Sequence, residues 1–199
     1  PADKTENTAT ASGTKIAFSD GKITASATDG VEIGGTDLTI TASGTYVLSG
    51  SCADGSVKVE KGVGGVTLVL NGLTLTSEST APIVCGKGSE VAIEAAAGTE
   101  NTLTDTESNN DESGNADAEN ACIKCKDGSQ AVLCGAGTLN VQANGKNGIK
   151  SGATTEDGEA SLTIRDLTLN INAPVNDAVN AEAALDVESG TLTLSAGDD

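Results

Sequence analysis

The stretch GTLNVQANGKNGIKS, residues 137–151, decides how the chain folds. It reads Gly-Thr-Leu-Asn-Val, then a polar turn of Asn, Gly and Lys, then Gly-Ile-Lys. A variant returns at 167–180 as LTLNINAPVNDAVN, and a fragment closes the chain as GTLTLSAGDD. Short β-rich runs bounded by Gly, Asn, Asp and Ser fill the rest of the sequence. Self-similarity at a fixed spacing means a unit that buries its apolar side by stacking on its own copies.

The runs fall into triplets. First strands align as LTI (38–40), LVL (68–70), VAI (91–93), VLC (132–134), LTI (162–164) and LDV (185–187). Second strands align as TYV (45–47), TLT (74–76), TLT (102–104), TLN (138–140), TLN (168–170) and TLT (191–193). Third strands align as VKV (57–59), IVC (83–85), IKC (123–125), IKS (149–151) and VNA (179–181), and the sixth turn has none. Three short strands per turn of about 23 to 30 residues predict an all-β, right-handed parallel β-helix, a β-solenoid of about six turns. Rungs then stack at roughly 4.8 Å, and Leu75, Leu103, Leu139, Leu169 and Leu192 form one interior ladder. A β-sandwich also has many short strands, but it does not explain a register that puts Leu on Leu and Thr on Thr.

Composition agrees with a thin, regular core. Among 199 residues there is one Phe, one Tyr and no Trp, Met or His, so the apolar content is aliphatic. The formal charge of −18 argues against nucleic acid, whose phosphates need clustered Lys and Arg. It suits a solvated extracellular protein or one that gathers cations. No apolar run approaches the ~18 residues of a membrane span. Residues 1–15 read as a polar tether ahead of a single domain over 16–199, the tether of a mature or excised form. Residues 105–120, DTESNNDESGNADAEN, break the period and read as a flexible acidic loop inserted in turn three. The five cysteines include one lone C-x-x-C without zinc spacing, and most of them are read as buried small hydrophobes. Cys85 and Cys125 stack in neighbouring rungs, pointing the same way, and are expected to stay thiols.

The outward residues sort into faces. On the second face Thr45, Thr74, Thr102, Thr138, Thr168 and Thr191 form a column beside Thr76, Thr104, Asn140, Asn170 and Thr193. Such a Thr-x-Thr array is like the flat faces of ice-binding solenoids, although Thr also suits any exposed strand. On the third face Lys58, Lys124 and Lys150 share a column interrupted by Val84 and Asn180, with Lys146 just before it and Lys61, Lys87 and Lys126 just after. Seven of the eleven basic residues therefore concentrate on one face of an acidic protein. Lysine is a point-charge donor suited to carboxylates and hydroxyls.

Before the third strands, Asn147, Asp177 and Asp199 share a column, with Asn176 and Asp198 in the next. Carboxylates one rung apart repel unless a cation lies between them. Oxygen donors of this kind suit Ca²⁺, though Asp and Asn are also common turn residues for conformational reasons.

Taken together, ITASGTYVLSGSCADGSVKVE, VTLVLNGLTLTSESTAPIVC, VAIEAAAGTENTLTD, GAGTLNVQANGKNGIKS and SGTLTLSAGDD resemble the carbohydrate-binding parallel β-helix proteins of Gram-positive anaerobes. The resemblance runs from about residue 16 to the end. It implies a secreted or surface-anchored protein with a pectate-lyase-like fold that binds plant-wall polysaccharide, cellulose and pectic polyuronate. It also implies Ca²⁺ held by stacked acidic turns reading Asp-Gly-Ile or Asp-Asp-Gly-Ile. Here Asp177 and Asp198–Asp199 keep carboxylates, whereas Lys146 and Asn147 depart from that pattern.

No catalytic residue is assigned. No motif marks the paired carboxylates of a glycosidase, and the one arginine, Arg165, follows a first-face strand away from the lysines. With one Phe, one Tyr and no Trp there is no stacking platform for neutral sugar rings. The expectation is a non-catalytic binder of acidic polysaccharide, with Lys58, Lys124, Lys146 and Lys150 meeting carboxylates. Ca²⁺ is expected at Asn147, Asn176, Asp177, Asp198 and Asp199. The alternative is a structural subunit of an extracellular fibre or adhesin, stacking head to tail through exposed end rungs.

Overall fold

Alternation of aliphatic and polar residues dictates strands throughout, and a computed structural model describes residues 12–156 and 158–198. The predicted tether lies largely outside the described residues, as does Asp199. The first six strands are β1 (Thr14–Ser19), β2 (Lys22–Ala25), β3 (Val31–Gly34), β4 (Asp37–Ile40), β5 (Gly44–Cys52) and β6 (Ser56–Val59). Then come β7 (Val66–Ser77), β8 (Ile83–Cys85), β9 (Glu90–Ala95), β10 (Glu100–Asp105), β11 (Ala121–Cys125), β12 (Gln130–Cys134) and β13 (Thr138–Gln142). The last six are β14 (Asn147–Ser151), β15 (Ser161–Ile164), β16 (Thr168–Ala173), β17 (Val179–Ala181), β18 (Ala184–Val187) and β19 (Thr191–Ala196).

The right-handed parallel β-helix with three short strands per turn is not what these strands build. The fold is all-β with two sheets. One is a curled, largely parallel half-barrel of twelve strands, ordered β18-β15-β12-β9-β7-β10-β13-β16-β19 with β5, β1 and β2 branching from β7. The other is a mixed sheet of seven, ordered β17-β14-β11-β8-β6-β4-β3. The cause is β7: its first half pairs with β9 and its second half with β10, so one continuous strand fuses the predicted first and second faces. Antiparallel pairs β1/β2 and β3/β4 close the N-terminal end. The run LTI (38–40) belongs to the mixed sheet, where Leu38 pairs with Val57.

The third-strand register stands as read, with Val57 on Ile83, Ile83 on Ile123, Ile123 on Ile149 and Ile149 on Val179. The leucine ladder stands in two pieces, Leu75 on Leu103 and Leu139 on Leu169 on Leu192. It breaks between them, where Leu103 pairs with Val141 and Leu139 faces Asn101. The threonine column shifts with it. Thr74 and Thr102 continue into Asn140 and Asn170, while Thr138 is preceded by Glu100.

Asn101 explains the shift. It is fully buried, and its Oδ1 accepts from the Gly72 and Leu73 amides at 2.9 Å each, where β7 turns the corner between its two halves. Its Nδ2 donates to Thr99 Oγ1 and the Thr138 carbonyl. A buried backbone donor left without a partner costs about 1–3 kcal/mol, so a polar residue here stabilises the bend that a leucine would orphan. Glycine is equally required at Gly135, where φ is +110° and a Cβ would lie 2.2 Å from the Ala95 carbonyl oxygen. Elsewhere the interior is aliphatic: Leu68, Leu70, Leu75, Ile83, Ile93, Leu103 and Ile123 are fully buried. Each such side chain contributes about 1.5–3 kcal/mol by leaving water. All five cysteines are free thiols, with Cys52, Cys85, Cys122 and Cys125 buried. The hydrogen bond with Cys125, and then burial, push the Cys85 thiol well up.

Candidate functional site

The mixed sheet sets the site. Its outward column reads Thr39, Lys58, Val84, Lys124, Lys150 and Asn180 in consecutive pairings. Three of the four predicted ligand-binding lysines therefore share one column. Val84 is only 4% exposed although it points outward, because a wall of chain stands over it. That wall is the 105–120 segment, which joins β10 to β11 and contains a short 3₁₀ turn at Asp111–Ser113.

Polar anchors hold the segment. Asn109 is fully buried; its Nδ2 donates to Asp105 Oδ2 and the Ala121 carbonyl, and its Oδ1 accepts from the Glu119 and Asn120 amides. Asp105 Oδ1 in turn accepts from the Asn144 and Gly145 amides, and burial pushes the carboxyl of Asp105 up. Asn115 reaches across to the Ser79 carbonyl at 2.6 Å.

Two hollows result. A cleft of about 580 Å³ runs over Lys58 and Val84, between Asp37, Asp54 and Ser79 on one side and Asp117 and Glu119 on the other. A second hollow of about 470 Å³ is lined by Lys58, Glu60, Lys61, Lys87 and Lys126. Lys58 and Lys126 line both. The sequence reading gave Lys126 no ligand role, and nothing in the composition of 105–120 signalled that Asp117 and Glu119 would overhang the lysines. The K-x-K spacing of Lys124 and Lys126 is the one signal that could have found it.

Several of these lysines are already paired. Lys126 meets Glu119 at 2.5 Å, Lys87 meets Asp127 at 3.4 Å, and Lys150 meets Glu182 at 3.1 Å. Lys146, the fourth predicted lysine, stands apart from the column and pairs with Asp111 at 3.1 Å and Glu112 at 3.6 Å. The hydrogen bond to Asp111 holds Lys146 above the usual lysine range. Among the described residues, Lys58 and Lys124 have no carboxylate at ion-pair distance. Burial, then the Lys150 charge, holds Lys124 below the usual lysine range.

The candidate calcium ligands lie along the next edge. The Asn176 amide donates to Asn147 Oδ1 at 2.7 Å and to Asp177 Oδ2 at 3.3 Å, and Asn180 also donates to Asp177. Gly197, beside Asp198, donates to the Asn176 carbonyl at 3.1 Å. Asn147, Asn176, Asp177 and Asp198 are thus neighbours, whereas Asp199 lies outside the described residues. The oxygens are hard donors, as Ca²⁺ prefers. Among the described residues, however, no group of three or more acidic, Cys or His side chains gathers for a metal. Asn147 Oδ1 and Asp177 Oδ2 accept amide hydrogen bonds from within the same group. Arg165 sits on the other sheet, 3.9 Å from Glu188. Among the described residues no helix is long and apolar enough to cross a membrane.

The arrangement is a charged groove on a parallel β-stack, without aromatic platforms, and comparison with known proteins places it. The family model of the carbohydrate-binding domain-containing proteins matches residues 34–199, and the chain belongs to that family. A carbohydrate-binding domain-containing protein of Acetivibrio thermocellus is 34% identical over 152 residues. That match covers 76% of this chain and 52% of the relative, so the chain spans about half of the relative's length. The solved structure of a polysaccharide lyase-like protein from C. thermocellum, a gadolinium derivative, shares the fold with a TM-score of 0.59. The likeness covers 89% of this chain and 99% of that one, at 22% identity.

Proposed function

We propose that this chain binds plant cell-wall polysaccharide without cleaving it, preferring acidic chains such as polygalacturonate and pectin, and also cellulose. What carries the reading is the column of Lys58, Lys124 and Lys150, which stands in register beside a groove large enough for sugar residues. Ammonium groups spaced along a stack can meet carboxylates spaced along a polymer, each charge-assisted hydrogen bond contributing about 1.5–3 kcal/mol. In this reading Ca²⁺ bridges Asp177, with Asn147 and Asn176 near it, to a uronate of the ligand. The protein would act outside the cell or at its surface, where such polymers are found. Retention on immobilised polygalacturonate, with and without excess EDTA, tests both parts. Retention lost in EDTA supports the bridge, retention unchanged in EDTA removes calcium from it, and no retention in either buffer overturns the reading.

A second reading draws on the far end of the stack. Leu185, Val187 and Leu194 are 45–50% exposed there, and among the described residues β17, β18 and β19 each lack a neighbour on one side. Such an edge can template another strand, either a further turn of the same protein or a second copy; in the second case the chain would self-associate as part of a fibre. Sedimentation of the wild type against Leu194→Lys tests this; a monomer at all concentrations overturns it.

A further inference from the structure

The chain's own carboxylates already occupy most of the lysine face, and three of them come from one inserted segment. Glu119 takes Lys126, while Asp111 and Glu112 take Lys146. Lys126 is the lysine that, with Lys58, lines both hollows of the groove. Glu119 is also fixed from behind. Its backbone amide donates to buried Asn109 at 2.7 Å, and the segment is pinned across the cleft by Asn115 and Ser79. Its carboxylate can therefore leave Lys126 by side-chain rotation alone, with the backbone in place.

We propose that Glu119 is an internal stand-in for a ligand carboxylate: it holds Lys126 in the empty groove and is displaced when a polyuronate binds. This rests on the polyuronate reading above and adds its regulation and selectivity. One carboxylate replaces another on the same ammonium, so a ligand with a single carboxylate gains almost nothing from the exchange. It also leaves Glu119 released beside Asp117, which lines the same cleft, and like charges repel. A polymer that engages Lys58 at the same time as Lys126 makes the displacement an intramolecular step at high effective concentration. The device thus favours chains over monomers.

The test measures the affinity of the wild type, Glu119→Gln, Asp117→Asn and Glu119→Gln/Lys126→Ala for polygalacturonate and for free galacturonate. Glu119→Gln keeps the shape and the backbone bond to Asn109, and a thermal melt checks that the segment stays folded. A freed, partly exposed ion pair corresponds to a gain of about two- to five-fold. We expect that gain for Glu119→Gln on the polymer, a smaller gain for Asp117→Asn, and a proportionally larger gain on the monomer. Adding Lys126→Ala should abolish it. If the wild type binds and Glu119→Gln binds no tighter, or if the gain survives Lys126→Ala, the stand-in is overturned while the polyuronate reading stands. Binding by Glu119→Gln alone would support the stand-in and overturn the reading for the wild type. Binding by neither overturns both.

Discussion

The outer faces of the two sheets are both built from stacked strands and have opposite character. On the curled sheet, Asn170 donates to Asn140, Asn172 donates to Gln142, and Gln142 donates to Asn144, so the amides spend their hydrogen bonds on each other. On the mixed sheet the equivalent outward positions are lysines, which cannot bond to each other and stay available or find carboxylates. The first face lies on the curled sheet, whereas the second is overhung by the inserted segment and becomes a groove. A repeated outward residue is thus a poor guide to binding by itself. What matters is whether the repeat can satisfy itself along the stack.

The largest effect should come from beneath the curled sheet. Asn101→Ala leaves the Gly72 and Leu73 amides without a partner and opens a cavity at the corner of β7. We expect a loss of about 2–5 kcal/mol, or a fall of roughly 10 °C in melting temperature at 2–4 °C per kcal/mol. Asn170→Ala, in the solvated ladder directly above Thr193, should cost under about 1 kcal/mol. Calorimetry of both separates a corner that holds the fold from a ladder that decorates it.

Next in size is the contrast between the faces in binding. Lys58→Ala with Lys124→Ala removes the two column lysines that have no ion pair among the described residues, and should weaken polygalacturonate binding by tenfold or more. Thr138→Lys and Thr168→Lys, on the curled sheet, should leave it within about twofold. Loss of binding in the threonine variants instead would move the site to the curled sheet.

How far this was readable depends on how unambiguous each repeat is. Ile-Lys-Cys and Ile-Lys-Ser fit one register only, and the whole third-strand column, Lys58 through Asn180, follows from them. Thr-Leu-Thr and Thr-Leu-Asn are satisfied locally at two registers a pleat apart. The choice between them rests on Asn101, a polar residue whose buried partners are backbone amides 28 and 29 residues away. No local pattern announces such a bond. The fusion of two predicted faces through β7 was hidden for a related reason. Asn71 and Gly72 look like a turn, yet the strand runs on through them. The groove was hidden most thoroughly, because Asp105 and Asn109 anchor a segment whose composition is that of a solvated loop.

The anchor of that segment gives a smaller, pH-dependent effect. Asp105 is titrated at a higher pH in the folded chain than when unfolded, because burial outweighs its hydrogen bonds. A raised folded value means that its contribution is full below the ordinary aspartate range and is lost as pH rises through the folded value. Urea unfolding between pH 3.5 and 7 should therefore show a stability component that falls with pH, and Asp105→Asn should flatten it. An unchanged slope in the variant would show that other carboxylates of this acidic chain govern the profile.

The smallest effect concerns the lysine face at alkaline pH. Lys124 is held below the usual lysine range, first by burial and then by the charge of Lys150 beside it in the column. Only the protonated ammonium meets a carboxylate, so a lowered value means that its share of binding fades at lower pH than an ordinary lysine's. Polygalacturonate affinity should then begin to fall below the usual lysine titration, and the early part of that fall should vanish in Lys124→Met. Lys150→Met should move it upward instead, since it removes the like charge while Lys124 keeps its place. Both variants lose one ligand contact, so their affinities alone say little. The direction in which the alkaline limb moves distinguishes a half-buried lysine that binds from one that merely sits beside the groove.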